Sequence, residues 1–203
     1  ELSSRRKSAA ARLEKSVARI LDELAMENTA FRIQFASVGA DTEAWKPAGF
    51  DRLEFLISPN PGELLRPVDQ IASGGELSRL MLALKTSAAH VDRAAPDPET
   101  ARTLIFDEID AGIGGRVAET VGRKLKALAG SHQVLCVTHL PQIASFADHH
   151  HFVEKVERGG RTVTLARRLA DSERAPELAR MLSGARITDT VLKHARDLLR
   201  SAR

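Results

Sequence analysis

The sequence predicts an α/β protein built around a parallel sheet with flanking helices. Two short, continuous apolar runs at residues 103–106 and 133–137 lie on either side of a helical pattern at 114–129. Continuous apolar runs are typical of strands that are buried on both faces, and a strand–helix–strand order favours a parallel connection. We therefore expect a mostly parallel sheet that helices cover on both faces.

The residues before this sheet predict a helix followed by two antiparallel strands. Apolar residues at helical spacing between Leu13 and Leu24 predict one helix over residues 1–28. Apolar and polar residues then alternate at 31–35 and again at 53–57, as in half-buried strands. These two strands are expected to form a hairpin or a small antiparallel sheet.

Further elements are predicted on both sides of the parallel unit. Apolar residues from Glu76 to about His90 have helical spacing, and a proline-containing surface loop is expected at 94–98. Gly159-Gly160 joins two alternating segments, which predicts a β-hairpin. Two C-terminal helices are expected at about 174–183 and 188–202, the second with Thr188 at its start.

Composition limits the classes of protein and site. The 203 residues suffice for one domain with a sizeable core, and no apolar run reaches the roughly 18 residues of a membrane span. A net charge of +3 permits contact with nucleic acid without arguing for it. Cys136 is the single cysteine, which excludes an internal disulfide and a cysteine-cluster metal site. We expect a cytoplasmic protein and, because the chain starts at Glu1 within a predicted helix, an excised fragment.

Ser73-Gly74-Gly75-Glu76 is a candidate phosphate-binding turn. Glycines let backbone N–H groups face an anion, and the helix that follows presents its positive end. The alternative is an ordinary helix start, in which Ser73 caps the helix and Glu76 completes a capping box. Taken alone, the tetrapeptide favours the capping interpretation.

Asp107 and Glu108 end the first apolar strand. A carboxylate at the carboxyl end of a parallel strand lies where ligands bind in open α/β sheets. Asp107 could hold Mg²⁺ through water, and Glu108 could orient and deprotonate an attacking water. The alternative is a strand that simply ends in charged surface residues, and the pair alone does not decide between the two.

Two further features follow the strands. Asp110 begins a glycine-rich loop at 110–115 whose spacing does not fit a dinucleotide fingerprint, so a tight connection or a subunit contact is expected. His139 follows the second strand, at the same sheet edge as Asp107, and could hydrogen-bond a γ-phosphate, although a lone histidine there is more often structural. The adjacent histidines at 149–151 would not converge on an ion, and we expect them at the surface.

In this order, the motifs resemble the C-terminal half of an ABC-type ATPase head. Within that superfamily, the sequences of these motifs are most similar to those of the RecN family, the SMC-like proteins of bacterial double-strand-break repair. The resemblance extends over nearly the whole chain and rests on residues 55–63, 71–79, 106–115, 137–144 and 177–184.

The resemblance implies a composite ATP site that is shared between two heads. Residues 73–76 would be the signature loop, which binds the γ-phosphate of the nucleotide on the opposite head. Asp107 would hold Mg²⁺ and Glu108 would be the catalytic base, both serving their own head's nucleotide. His139 would be the switch histidine, and Asp110 would begin the D-loop.

One part of such a head does not occur in the sequence. No Gly-x-x-x-x-Gly-Lys-Ser/Thr pattern is present, so the loop that cradles the β- and γ-phosphates is missing. In the family, this Walker A loop lies in an N-terminal lobe that a long antiparallel coiled coil separates from the C-terminal lobe. The resemblance thus implies that residues 1–28 end the returning coil and that 29–203 form the C-terminal head lobe.

The implied function is ATP hydrolysis in double-strand-break repair and recombination, in the bacterial cytoplasm at the nucleoid. The implied cofactors are ATP and Mg²⁺, and the implied partners are the N-terminal lobe, a second head and double-stranded DNA ends, with no membrane. The fragment alone is expected to be inactive.

Two alternatives to this function stay open. One is an ABC ATPase subunit of a transporter, against which the arm-like helix at 1–28 speaks. The other is a non-catalytic ATPase-like module for protein contact. Such a module would not require Asp107, Glu108 and His139 together.

Overall fold

The computed structural model describes residues 1–36, 49–71, 73–91, 101–184 and 186–202; the predicted loop at 94–98 lies outside them. In chain order, the helices and strands are α1 (Leu2–Glu23), β1 (Ala30–Ala36), β2 (Arg52–Ser58), β3 (Arg66–Pro67), α2 (Gly74–Val91), β4 (Thr103–Phe106), α3 (Gly115–Leu128), β5 (Gln133–Cys136), α4 (Pro141–Ala144), β6 (His151–Arg158), β7 (Arg161–Arg168), α5 (Asp171–Ser183) and α6 (Asp189–Ser201).

The predicted strand–helix–strand unit is confirmed. Strands β4 and β5 pair in parallel, from Thr103 opposite Gln133 to Phe106 opposite Cys136. Helix α3 connects them and buries Ala118, Val121, Leu125 and Leu128, which share one apolar core with Phe106. The parallel pair therefore has one face covered by helices of this chain.

The expectation that helices also cover the second face of the sheet is wrong for the described part of the chain. Ile105 is 71% exposed, Leu135 50% and Val137 64%. Successive side chains of a strand point to opposite faces, so Phe106 enters the core while its neighbour Ile105 faces outward. The apolar run gives the strand two apolar faces, but the described residues pack against only one of them.

The N-terminal helix is shorter than predicted. Helix α1 ends at Glu23 rather than near residue 28, because Ala25 adopts a left-handed φ of 58° and cannot continue the helix. Its second half belongs to the main core, where Val17, Ile20 and Leu21 are buried. The head core thus begins within the helix that the resemblance assigns to a coiled-coil arm.

Polar contacts attach α1 to three other elements. Ser16 Oγ lies 3.0 Å from Ser87 Oγ on α2. Glu14 Oε1 accepts a 2.7 Å hydrogen bond from the backbone N–H of Ile33 in β1. Lys124 Nζ on α3 lies 2.6 Å from Glu23 Oε2, and this hydrogen bond lowers the pKa of Glu23. These contacts fix the rotation of α1 on the core, which apolar packing alone leaves less well defined.

The predicted small antiparallel sheet is confirmed. Strand β1 pairs with β2 from Ala30 opposite Ser58 to Ala36 opposite Arg52, and the short β3 adds to the other edge of β2. The expected alternating burial fails along β2, where Leu53 and Phe55 are exposed. The core reaches only the end of the sheet at which Phe31 and Ile57 lie opposite each other, both almost fully buried.

The predicted C-terminal elements are also confirmed. Strands β6 and β7 form a hairpin closed by Gly159 and Gly160, both with positive φ, as a two-residue type I′ turn requires. Helices α5 and α6 pack around Leu178, Ala179 and Ala195 in a second, smaller core cluster. Thr188 caps α6, because its Oγ1 accepts a 3.4 Å hydrogen bond from Val191 N. Among the described residues, no helix has the length and apolarity that crossing a membrane requires.

The packing of α1 predicts where along this helix stability depends on side-chain volume. Replacing the buried Ile20 by alanine should lower the free energy of unfolding of the chain by about 2–5 kcal/mol, because it leaves a cavity in the main core. The matched control is Leu2→Ala on the same helix, which should change it by less than about 0.5 kcal/mol because Leu2 is half exposed. Urea unfolding measures both. Equal losses in the two variants would contradict the placement of the core.

Candidate active site

The carboxyl ends of β4 and β5 meet at one edge of the parallel pair. A shallow, open cleft at this edge is lined by Asp107, Glu108 and Asp110 after β4 and by Thr138 and His139 after β5. The pairing extends to the cleft, because Val137 N donates to Phe106 O at 3.0 Å. The structure therefore brings together the two predicted carboxylates and the predicted histidine.

Asp110 is the buried centre of this edge, with 5% of its surface exposed. Its Oδ2 accepts a 2.6 Å hydrogen bond from Thr138 Oγ1 and a 2.8 Å hydrogen bond from His139 N. The same oxygen lies 2.9 Å from His139 Nδ1. A carboxylate accepts and does not donate, so Nδ1 carries the proton and the exposed imidazole presents Nε2 to the cleft. From the sequence, Asp110 is expected at the start of a loop, and nothing in the pattern predicts these contacts.

Residues 107–111, here called the acidic turn, adopt a tight conformation. Glu108 has a left-handed φ of 55°, which is uncommon for a residue with a side chain. Ile109 and Asp110 follow at once and both are buried, so the chain must reverse immediately after β4. Ala111 N donates to Glu108 O at 3.0 Å and closes the turn. The carboxylates of Asp107 and Glu108 remain exposed to the cleft.

Residues 73–76, here called the glycine turn, begin α2 and contact the acidic turn. Ser73 Oγ accepts a 3.4 Å hydrogen bond from Glu76 N, so Ser73 does cap the helix. A Cβ on Gly74 would collide with Glu108 Oε2, and a Cβ on Gly75 would lie 2.8 Å from Ala111 Cβ and 3.1 Å from Glu108 O. Glycine is needed at position 75, where the Glu108 backbone carbonyl and Ala111 lie close, whereas the flexible Glu108 carboxylate can move away from a Cβ at position 74.

Two residues on the first turns of α2 bind backbone carbonyls of the acidic turn. Ser78 Oγ donates to Asp107 O at 2.6 Å, and Arg79 Nη1 donates to Ala111 O at 2.8 Å. Arg79 is 7% exposed, and burial lowers its pKa, an effect that the charge of Glu76 partly offsets. Sequence reasoning missed both residues. The one indication in the sequence was that Arg79 directly precedes Leu80, an apolar residue at helical spacing that the structure shows to be buried.

The arrangement limits which ions and nucleophiles this edge can offer. Among the described residues, no group of three or more His, Cys, Asp or Glu side chains could enclose a metal ion. A single exposed carboxylate such as Asp107 suits Mg²⁺, which keeps several waters and takes further ligands from phosphates. Cys136 is half-buried, and burial, reinforced by the charges of Asp110 and Asp107, raises its pKa to about 12. Its thiol is therefore protonated and is not a nucleophile.

We expected the whole histidine run at 149–151 to lie at the surface, and this is wrong for one of the three residues. His150 is half-buried, and burial lowers its pKa although the charge of Glu177 opposes this. Its buried Nδ1 has no hydrogen-bond partner among the described residues. His149 and His151 are exposed, as predicted. The difference arises because His150 immediately precedes β6, and its carbonyl accepts from Leu169 N at 2.8 Å, which holds it against the body of the protein.

The contacts of Asp110 predict a defined state of His139. In an Asp110→Asn variant, the Nδ1–H form of His139 should lose its charged acceptor, so the fraction of this tautomer should fall. The free energy of unfolding should drop by about 1.5–3 kcal/mol, as expected for hydrogen bonds to a charged group. Two-bond ¹H–¹⁵N correlation spectra report the tautomer, and urea unfolding reports the stability.

The matched control for this change is Asp148→Asn, since Asp148 pairs with Lys126 at the surface. It should leave the His139 resonances unchanged and shift the stability by less than about 1 kcal/mol. Identical His139 spectra in the Asp110→Asn variant and the parent would contradict the assigned contact.

The sequence is similar to known DNA repair proteins over nearly its whole length. It is 40% identical over 198 residues to the DNA repair protein RecN of Halalkalibacterium halodurans and 44% identical over 191 residues to that of Vibrio cholerae. These matches cover 98% and 94% of this chain but 34% and 32% of the relatives. The chain therefore spans about a third of the length of the RecN proteins it matches. No family model matches the sequence.

The fold is similar to part of a known head domain. The structure resembles the Smc head domain with a coiled coil and joint from Pyrococcus yayanosii, with a TM-score of 0.50 and 19% sequence identity, over 94% of this chain and 30% of that one. At this identity the likeness concerns the fold alone, and it confirms the expected α/β head-lobe class. The chain is thus RecN-like in sequence over nearly its whole length and has the fold of part of an SMC head.

Proposed function

We propose that this chain is the C-terminal ATPase lobe of a RecN-like DNA-repair protein. The observation that carries the proposal is the single sheet edge at which the exposed carboxylates of Asp107 and Glu108 lie beside His139. The similar sequences are those of DNA repair proteins, which supports the biological role. In this proposal, residues 29–203 form the head lobe and residues 1–28 are the end of a coiled-coil arm, whose last turns pack into the core of the lobe.

The proposed reaction is in-line attack of water on the γ-phosphorus of ATP, which breaks the bond from this phosphorus to the oxygen that bridges it to the β-phosphate and releases ADP and phosphate. Glu108 accepts the proton of the attacking water, which its exposure to the cleft permits. His139 faces the γ-phosphate with Nε2, which donates a hydrogen bond when both ring nitrogens carry protons, and Asp110 holds the ring at Nδ1. Asp107 would hold Mg²⁺ through water, and the ion would neutralise charge that develops on the phosphates.

A second lobe must supply the phosphate cradle, because the sequence has no Walker A pattern. The apolar face of β4 and β5, which the described residues leave exposed, supports this partner. A two-stranded sheet that exposes Ile105, Leu135 and Val137 is marginal by itself, and burial of this face would stabilise it. We propose that the N-terminal lobe of the same head covers this face.

We further propose that the glycine turn serves the nucleotide of a second head. Ser73 and Gly74 are exposed at the N-terminus of α2, a helix long enough to present a substantial positive end to a γ-phosphate. ATP then joins the two heads and hydrolysis releases them. Double-stranded DNA ends and a cytoplasmic, nucleoid-associated location belong to the same proposal.

The proposal predicts that activity requires both lobes. The chain alone should show no ATP turnover above the buffer blank, since it lacks the loop that holds the phosphates. Mixing it with the N-terminal lobe should produce Mg²⁺-dependent phosphate release, which linear duplex DNA increases. Robust turnover by the chain alone would contradict the split site. No turnover after confirmed association of the lobes would favour a non-catalytic module, and stimulation by membranes instead of DNA would favour a transporter subunit.

The assigned base gives a second prediction. In the assembled head, Glu108→Gln should lower kcat about 10²–10⁴-fold, because the amide cannot accept the proton of the attacking water. ATP-bound head dimers should accumulate, as measured by size-exclusion chromatography with light scattering. The matched control is Glu119→Gln on α3, where the carboxylate pairs with Arg123 at the surface and kcat should not change. Parental turnover in Glu108→Gln would exclude Glu108 as the base.

A further inference from the structure

We infer that Ser78 and Arg79 are positioning residues that hold the backbone of the acidic turn and thereby direct the Glu108 carboxylate. The inference rests on the proposed function, in which Glu108 is the base, and assigns a role to two residues that do not face the cleft. Both lie on the first turns of α2 and reach the acidic turn in the same chain.

The two side chains bind on either side of Glu108. Ser78 Oγ holds the carbonyl of Asp107, which precedes Glu108 in the turn. Arg79 Nη1 holds the carbonyl of Ala111, whose own N–H closes the turn on Glu108 O. The turn is thus held from α2 at both ends, while Glu108 itself receives no side-chain restraint from these two residues.

The conformation between these two contacts needs external support. A left-handed φ of 55° is unfavourable for a glutamate, because its Cβ then lies too close to the following carbonyl oxygen. Such conformations persist when the surroundings over-determine them. Here, the buried Ile109 anchors the turn from within the core, and the contacts of Ser78 and Arg79 fix its two ends. Loss of both contacts would let the turn relax and would move the carboxylate.

Arg79 is an unfavourable choice if its role is packing alone. Its guanidinium is almost fully buried, and its Nε has no hydrogen-bond partner among the described residues. Apolar side chains of similar volume often replace buried charges without loss of stability. The hydrogen bond to Ala111 O is the contact that an apolar side chain could not make. The hydrogen bond therefore favours positioning of the turn over packing as the role of Arg79.

The test uses Ser78→Ala, Arg79→Met and the double variant in the chain assembled with the N-terminal lobe. Because Met fills the space of the arginine stem without its donors, we expect kcat to fall roughly 10–100-fold with little change in KM for ATP, as misplacement of a catalytic group predicts. Arg79→Lys retains one donor and should recover part of kcat. The matched control is Arg123→Met, an exposed arginine on α3 that should keep the parental kcat.

A second measurement is made on the chain alone, without nucleotide. Hydrogen exchange at the Ala111 amide should become about tenfold faster in Arg79→Met and in Ser78→Ala, because the turn opens more often. Exchange in α3 should stay at the parental rate. This readout does not depend on ATPase activity, so it tests whether the two residues hold the turn even if the assembled protein hydrolyses nothing.

The outcomes distinguish the inference from the proposed function. An inactive parental assembly in which exchange at Ala111 still rises in the variants would overturn the ATPase proposal and keep the hold on the turn. An active assembly with parental kcat in the double variant would overturn the positioning role and leave the ATPase proposal intact. Parental exchange rates at Ala111 in the double variant would also overturn the inference. The inference would also be overturned if kcat fell only in proportion to the amount of folded protein and fell by the same factor in Arg123→Met.

Discussion

The buried carboxylate of Asp110 is the interaction on which the rest of this edge depends. One oxygen receives hydrogen bonds from Thr138 Oγ1 and His139 N and faces His139 Nδ1, so residues after β4 are joined to residues after β5. The parallel pair has only two strands in the described part of the chain. A charge-assisted contact at the carboxyl end therefore holds the ends of the two strands together, as additional strand pairing would in a wider sheet.

The second constraint is the close approach of α2 to the same edge. Gly75 allows the helix start to touch the acidic turn, and Ser78 and Arg79 add two hydrogen bonds. The glycine turn and the acidic turn consequently form one unit in this chain. A ligand that moves one of them must also move the other, which is a physical route by which a phosphate at the helix start could influence Glu108.

The parts of the fold that depend on local rules were predictable from the sequence. Continuous apolar runs identified β4 and β5, Gly159-Gly160 identified the hairpin, and Thr188 marked the start of α6. The rule that parallel strands end at one edge correctly predicts that His139 lies beside Asp107. What sequence reasoning missed depends on tertiary contacts. The acceptor role of Asp110, the left-handed Glu108 and the buried Arg79 all require knowing which turn faces which helix.

Two errors have a common physical origin. A continuous apolar run predicts cover on both faces, yet Ile105 and Leu135 are exposed in the described part of the chain. The sequence pattern indicates what a strand can bury and not which chain segment buries it. Similarly, apolar spacing extended the first helix to residue 28, although the left-handed Ala25 ends it. Periodicity identifies the face of an element more reliably than its end.

The central claim is that the glycine turn serves the opposite head although it touches Glu108 in its own chain. The direct measurement mixes two inactive assembled heads, one carrying Ser73→Asp and the other Glu108→Gln. Aspartate still caps a helix but repels a phosphate, so the first change spares the fold. If sites form across the dimer, each mixed dimer has one intact site, and random exchange should restore about a quarter of the parental ATPase activity. No recovery in confirmed mixed dimers would mean that both turns serve the same site, and would contradict the claim.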